Sequence, residues 1–298
     1  MTANLKTSKL IQTKYGYWTF DPLPSKEELN HFYADSYYQN EGVQYQLQYS
    51  DEEVAYFRLR TSLVMRQLRR LRPGQSLKTF FDVGCGEGWF LDKFYKDGMK
   101  VRGIDFSAFA IERFHPHMKE FFEQGNIYVL LDRYIKSGEK YDVILLANVI
   151  EHVQDPIGLL NKLRKILIRD GILVILAPND FSSIHEHLLA TKIIDKPFWV
   201  RYPGHLSYFN KQSMLNIFEG IKLKTEAIVS DYPIELNLFN PNSNYSRDPK
   251  TGKGVHLLRV RTNNFLAGID EESLLDLYTV YGRMGVGRNL YYYCSLIN

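Results

Sequence analysis

The run Phe80-Phe81-Asp82-Val83-Gly84-Cys85-Gly86-Glu87-Gly88 leads an apolar strand into a tight glycine turn and then into a helix. Glycine admits the positive φ angles of such a turn and lets a ligand approach the backbone closely. The first turn of the helix beyond it offers free N–H groups. A turn that holds a pyrophosphate spaces its glycines Gly-x-Gly-x-x-Gly, whereas this one reads Gly-x-Gly-x-Gly. Asp82, ahead of Gly84, adds a carboxylate able to act near a cationic ligand, directly or through water. Val101-Arg102-Gly103-Ile104-Asp105 ends a second strand with an acid at about the 20-residue distance from which an acid binds ribose hydroxyls. Alone, Asp105 would read as a helix cap; with the turn before it, it reads as the ribose ligand. A ribose, a positive charge and no pyrophosphate together describe S-adenosylmethionine.

A second group of residues suits proton transfer. His152 follows Tyr141 to Ile150, a strongly apolar run of the kind found in strands buried on both faces. The carboxyl edge of an open parallel sheet is where ligands bind, and imidazole is the natural base there near neutral pH. The competing reading of His152 is a capping or packed ring. His205 sits in Tyr202-Pro203-Gly204-His205-Leu206-Ser207, a loop before a helix, where many histidines are merely exposed. His185 and His187, two residues apart, diverge on a helix, and His115 and His117 flank Pro116; both pairs read as structural or surface groups.

Alternating elements must position these groups. Thr79 to Val83, Val101 to Phe106, Ile127 to Leu131, Tyr141 to Ile150 and Ile172 to Ala177 read as strands. Trp89 to Lys96, Ser107 to Phe114 and Pro156 to Leu167 read as the helices between them. Such alternation predicts an α/β fold, a parallel sheet covered on both faces. Ahead of it, Ser25 with Glu28 and Ser50 with Glu53 form capping-box patterns that open two helices. The second carries Val54, Phe57, Val64, Leu68 and Leu71 at helical spacing and ends at Arg72-Pro73-Gly74. Beyond Pro178, Lys211 to Phe218 reads as a helix and Leu223 to Ser230 as a strand. Asp231 to Gly254 reads as irregular, Val255 to Arg261 as a strand, Glu271 to Tyr281 as a helix and Asn289 to Ser295 as a last strand.

The stretch from Lys78 to Ser230 resembles the class I S-adenosylmethionine-dependent methyltransferases, most clearly in Asp-Val-Gly-Cys-Gly-Glu-Gly. Within them it is most similar to the branch of ubiquinone-biosynthesis O-methyltransferases and of many sugar and natural-product methyltransferases. That branch shares Asn148-Val149-Ile150-Glu151-His152-Val153-Gln154-Asp155-Pro156 and a motif like His205-Leu206-Ser207-Tyr208-Phe209. The resemblance implies a Rossmann-like, doubly wound sheet of seven strands, mostly parallel with the last antiparallel. It implies an N-terminal helical lid over residues 1–77, a cofactor core over 78–230, and a substrate-specificity insertion with the final strand over 231–298. Gly84, Cys85 and Gly86 would line the methionine moiety, Phe106 would pack on adenine, and Asn148 would complete the cofactor site. Gly125-Asn126-Ile127 stands where relatives carry a Gly-Asp pair that meets the adenine amine. His152 and His205 would face each other across the acceptor, with Glu151 beside them, and Tyr37 or Tyr38 would belong to the lid. In relatives that bind a divalent ion, a Glu-x-x-Glu-His run supplies two carboxylates; Asn148 replaces the first here, which predicts no metal.

The acceptor implied is a small hydroxylated molecule such as a sugar or sugar nucleotide, and Arg259, Arg261, Arg283 and Arg288 are candidates for an anionic group on it. The bulk properties fit a cytoplasmic enzyme. Net charge is +3, which makes no case for nucleic acid or an anionic membrane. The basic run Arg66 to Arg72 shares a helix with a clear apolar face, so it reads as a solvated face. Two cysteines, Cys85 and Cys294, make no disulfide framework, and no run approaches the roughly 20 apolar residues that cross a bilayer. The competing readings are an N- or C-methyltransferase of a small molecule, a non-catalytic module that retains the cofactor fold and, further off, an NAD-dependent oxidoreductase.

Overall fold

The computed structural model describes residues 8–25, 27–29 and 48–297; Tyr37 and Tyr38 lie outside them. Seven strands form the central sheet: β3 (Thr79–Val83), β4 (Lys100–Asp105), β5 (Phe122–Gln124), β6 (Tyr141–Ala147), β7 (Leu167–Pro178), β9 (Leu223–Ser230) and β10 (Asn289–Leu296). Their order is β5-β4-β3-β6-β7-β10-β9. The first five run parallel, and β10 lies antiparallel between β7 and β9. The α/β, doubly wound sheet expected from the sequence is therefore present, with its last strand reversed.

Alternate side chains along each strand point to opposite faces, and each face has its own core. On one, Phe81, Val83, Ile144 and Leu146 pack with Leu131, Leu159, Leu163 and Phe218. These last come from α4 (Ile127–Ser137), α5 (Pro156–Ile166) and α7 (Lys211–Gly220). On the other face, Phe80, Val143 and Leu145 pack with Leu63, Leu68, Leu91, Phe94 and Leu275. Their helices are α1 (Asp51–Leu71), α2 (Trp89–Lys96) and α9 (Glu271–Met284), joined on this face by Ile111 of α3 (Phe109–Phe114). The Ser50–Glu53 capping box starts α1, a device that stabilises a helix by about 1 kcal/mol. The basic run on α1 pairs with acids of α9, Arg66 with Glu271 at 2.6 Å and Arg70 with Asp276 at 2.6 Å, so these arginines bridge two packed helices instead of standing free in solvent.

Two expected strands are helices. Ile127 to Leu131 opens α4: the Asn126 side chain accepts from the Tyr128 and Val129 N–H groups, and Gly138, left-handed, ends the helix. The strand in this region is Phe122–Gln124, only three residues long, too short for a pattern to stand out. Val255 to Arg261 lies inside α8 (Gly252–Ile269), whose buried residues are Val255, Val260 and Asn263 alone. A helix that buries so little shows no clear 3.6-residue stripe, and its β-branched valines resemble a strand.

The N-terminal region, expected as helical, also contributes β1 (Lys9–Gln12) and β2 (Trp18–Asp21). They pair antiparallel and continue into β8 (Ser207–Tyr208), forming a second, three-stranded sheet. Under it lies a smaller core of Ile184, Leu188, Trp199 and Tyr208, built with the short helix α6 (Ser183–Ala190).

Candidate active site

The glycine turn sits at the carboxyl end of β3. Gly84 has φ +75°, and a Cβ there would lie 2.3 Å from Cγ2 of Val149, so both backbone angle and space demand glycine. The Gly84 and Cys85 N–H groups bond to the Ile104 carbonyl at 2.8 and 3.1 Å, tying the turn to β4. At the tip of β4, the Asp105 carboxylate accepts from Gly86 N at 3.0 Å and from Ser107 N at 3.1 Å, which fixes its direction. Asp82 is buried, and burial with the nearby Asp105 charge pushes its carboxyl up to about 8.

The chain leaves β3 for β4 and β5 on one side and returns to β6 on the other, so strand order reverses at β3. Ligands bind at the carboxyl edge beside such a reversal. A cavity of about 1220 Å³ opens there. Asp82, Gly84, Cys85, Gly86, Asp105, Phe106, Asn126, Ile127 and Asn148, the residues expected to hold a cofactor, all line it, and so does His152. Asn148 has φ +53° and its N–H bonds to the Leu176 carbonyl at 2.9 Å. Glu87 at the rim accepts from Tyr49 Oη at 2.6 Å and Trp89 Nε1 at 2.5 Å.

Arg60 also lines the cavity and was missed by sequence reasoning. Its Nε donates to the Tyr291 hydroxyl at 3.2 Å, and among the described residues no carboxylate pairs with it. The signal was available: Arg60 falls four residues after Tyr56 and four before Val64, both on the buried face of α1. A buried-face arginine in the same lining as Asp82 gives the cavity a cation and an acid, the two groups that a zwitterionic amino acid needs. The glycine cradle, the carboxylate at β4 and this pair fit the shape and charge of S-adenosylmethionine.

His152 follows β6 and is brought against His205 by two fastenings. The Leu206 and Ser207 N–H groups both bond to the Glu151 carbonyl, at 2.8 and 3.1 Å. From the other side, Thr19 Oγ1 donates to the Leu206 carbonyl at 2.9 Å, and Trp18 pairs with Tyr208. The two imidazoles stand perpendicular with centroids 4.9 Å apart. His152 Nδ1 lies 2.5 Å from the Gly204 carbonyl. A carbonyl can only accept, so Nδ1 carries the proton and Nε2 keeps its lone pair. Burial lowers the pKa of His152. Burial and the charges of His152, Arg288 and Arg201 push His205 down to about 3. Glu151 Oε1 lies 3.7 Å from His152 Nε2, Oε2 has no hydrogen-bond partner among the described residues, and burial lifts the carboxyl to about 8. One ligand atom from each of Glu151, His152 and His205 lies within 4.8 Å of the others, a spacing that could also hold a metal ion.

Residues 56–227 match the family model for a methyltransferase domain. A ubiquinone biosynthesis O-methyltransferase of Histophilus somni (strain 2336) is 29% identical over 139 residues, 44% of this chain and 55% of that protein. One of Pelagibacter ubique (strain HTCC1062) is 32% identical over 155 residues, 49% of this chain and 64% of that protein. The match thus spans about half the length of the first of these relatives. Among solved structures, the plantazolicin methyltransferase BamL, in complex with a triazolic desmethylPZN analog and SAH, superposes with a TM-score of 0.52. It is 12% identical, and the likeness covers 90% of this chain and 94% of that one, which shows a shared fold.

Proposed function

Because the chain belongs to the methyltransferase-domain family, we propose that it moves the methyl group of S-adenosylmethionine to a hydroxyl of a small acceptor. The acceptor is a sugar or sugar nucleotide of surface-glycan or secondary metabolism. The observation that carries the reading is one cavity lined by the glycine turn, by Asp105 and by a histidine with a free Nε2. When bound, S-adenosylmethionine supplies a methyl carbon already activated by its sulfonium.

The protein's share of the work is alignment and proton removal. Asp105 holds the ribose, the Gly84-Cys85-Gly86 turn bears on the methionine portion, and Phe106, Asn126, Ile127 and Asn148 flank the adenosine. Arg60 and Asp82 hold the α-carboxylate and the positive groups. His152 takes the acceptor's hydroxyl proton at Nε2, and His205 keeps that ring in place and helps seat the acceptor. Glu151 anchors the His205 loop through its backbone and stands beside the ring that gains the proton. Residues 231–298 supply acceptor specificity, while α1, through Phe57, Arg60 and Thr61, walls the cofactor cavity. The reaction belongs in the cytoplasm: both cysteines are free and buried, and no helix of the described residues is long and apolar enough to cross a membrane.

Isothermal titration with S-adenosylhomocysteine tests the cofactor half, and one-to-one binding is expected. Folded protein that binds none at millimolar concentration would end the reading. Transfer of labelled methyl to a panel of sugars and nucleotide sugars tests the acceptor half; labelling only of amines or of carbon would overturn O-methylation.

A further inference from the structure

Tyr291 stands on β10, which is gripped by β7 on one side and β9 on the other. Its Cα partners there are Leu176 and Val229, so the residue is held from both edges. Its ring is buried in the core on the α1 face of the sheet. A buried tyrosine hydroxyl takes a hydrogen-bond partner, and this one reaches across to α1 and accepts from Arg60 Nε at 3.2 Å. Phenylalanine would fill the same apolar space, so packing alone does not account for the hydroxyl.

Arg60 is confined on every side but one. Tyr56 lies one turn earlier on α1 and offers its ring, with the centroid 5.9 Å from the guanidinium carbon, inside the range of a cation–π contact. Among the described residues the bond to Tyr291 is the one hydrogen bond Arg60 makes, which leaves Nη1 and Nη2 for another acceptor. The side chain separates two cavities. The smaller, of about 20 Å³, is lined by Tyr56, Asp231, Asn263, Tyr278 and Tyr291 as well. That is room for about one water molecule and not for a guanidinium, so the charged end has nowhere to withdraw on that side. Asp231 is already engaged: its two carboxylate oxygens accept from Asn289 N at 2.9 Å and Asn289 Nδ2 at 2.6 Å. Of the two cavities, only the cofactor cavity of about 1220 Å³ has space for an anion.

A guanidinium is a rigid planar fork, so fixing Nε fixes the direction of its other two nitrogens. Resting on the methyltransferase reading above, we propose that Tyr291 is a positioning residue for the amino-acid end of S-adenosylmethionine. Its hydroxyl never touches the ligand. It holds Nε of Arg60 so that Nη1 and Nη2 stand ready for the α-carboxylate, and the Tyr56 ring steadies the same group from its face. Without the hydroxyl, the guanidinium must be immobilised anew each time the ligand binds, and that ordering is drawn from the binding free energy.

Isothermal titration of the full chain with two ligands tests this. One is S-adenosylhomocysteine; the other is 5′-methylthioadenosine, which keeps the adenosyl thioether and lacks the amino-acid end. Tyr291→Phe should weaken S-adenosylhomocysteine about fivefold, the cost of ordering one side chain, and leave 5′-methylthioadenosine within about twofold. Arg60→Gln should weaken S-adenosylhomocysteine at least about tenfold, as loss of a charge-assisted hydrogen bond does, again sparing 5′-methylthioadenosine. Added to Arg60→Gln, Tyr291→Phe should cost nothing further, because its effect runs through the arginine.

Equal weakening of both ligands by Tyr291→Phe would make the hydroxyl a merely structural group and overturn the proposal. So would a full fivefold loss that persists in the Arg60→Gln background. Arg60→Gln leaves the core tyrosine in place, so it reads the carboxylate contact however Tyr291→Phe folds; unchanged S-adenosylhomocysteine affinity in it overturns the proposal too. In each of these cases the unaltered chain still binds both ligands and the enzyme class stands. Failure of the unaltered chain to bind either one overturns the methyltransferase reading itself.

Discussion

The imidazole of His205 meets that of His152 edge to face at 4.9 Å, yet only His152 lines the cofactor cavity. This asymmetry divides their roles. His152→Ala removes the lone pair that takes the proton, and a general base contributes about 10²–10⁴-fold. The expected result is a kcat lower by that factor with S-adenosylhomocysteine affinity nearly unchanged. His205→Ala removes support and an acceptor contact, and should cost about 10–100-fold, shared between kcat and KM. Wild-type turnover in His152→Ala would take His152 out of the mechanism.

The base sets a pH dependence with a definite sign. Burial lowers the pKa of His152 from its ordinary 6.5, so the ring is neutral and competent at pH 7. Activity should fall only as pH drops below 6.5, where the ring gains a proton and loses its lone pair. With S-adenosylmethionine saturating at every pH, a kcat/KM profile in acceptor that still climbs between pH 7 and 8 would name a different base.

Much of this site was legible in the sequence because its parts are local. The turn from Asp82 to Gly88, the acid at Asp105 and the histidine after a fully apolar strand each declare themselves within a few residues. The clamp on the His205 loop was not legible: it consists of four-residue strands at Lys9–Gln12 and Trp18–Asp21 that gain meaning only by pairing with Ser207–Tyr208. Nothing in either segment announces a partner almost two hundred residues away. Arg60 was legible in principle, since its place on the buried face of α1 is a matter of spacing, but a cation there reads as helix surface until the cavity is seen. The ion pair of Arg288 with Asp180 was invisible for the same reason as the clamp: Asp180 follows β7 and Arg288 immediately precedes β10, and the two share no local pattern.

The unusual state of Asp82 predicts a linkage between proton and cofactor. In the free protein its carboxyl titrates at about 8, raised by burial and by Asp105. A cationic ligand favours the carboxylate, so binding S-adenosylmethionine should expel a proton at pH 7. Affinity should then rise from pH 6 towards pH 8, by at most about tenfold per unit, and flatten above. Titration in buffers of different ionisation enthalpy measures the released proton. Asp82→Asn should abolish the release; an unchanged release would locate the proton elsewhere.

Divalent metal should be dispensable. Near pH 7 the Glu151 carboxyl, raised to about 8, is mostly neutral, and Asn148 lines the cavity with an amide where a second carboxylate would be needed. Two imidazoles and a neutral carboxyl hold a hard cation poorly. Activity should survive dialysis against EDTA, whereas micromolar zinc, which favours imidazole, should inhibit by occupying His152 Nε2. Loss of activity in EDTA that magnesium or zinc restores would replace the histidine base with a metal-assisted mechanism.

The glycine turn offers a test of how backbone and neighbour share one constraint. Gly84→Ala places a Cβ 2.3 Å from Val149 Cγ2 and forces alanine to φ +75°. Left-handed strain costs about 1–3 kcal/mol and overpacking about 1–3 kcal/mol more, so the urea midpoint and S-adenosylhomocysteine affinity should both fall. Val149→Ala in the same chain removes the collision and leaves the backbone strain. The double variant should therefore recover part of the lost stability, with a coupling energy that a double-mutant cycle reads directly. Strict additivity would mean that Val149 does not confine the turn, and full recovery would mean that the backbone angle at Gly84 carries no strain.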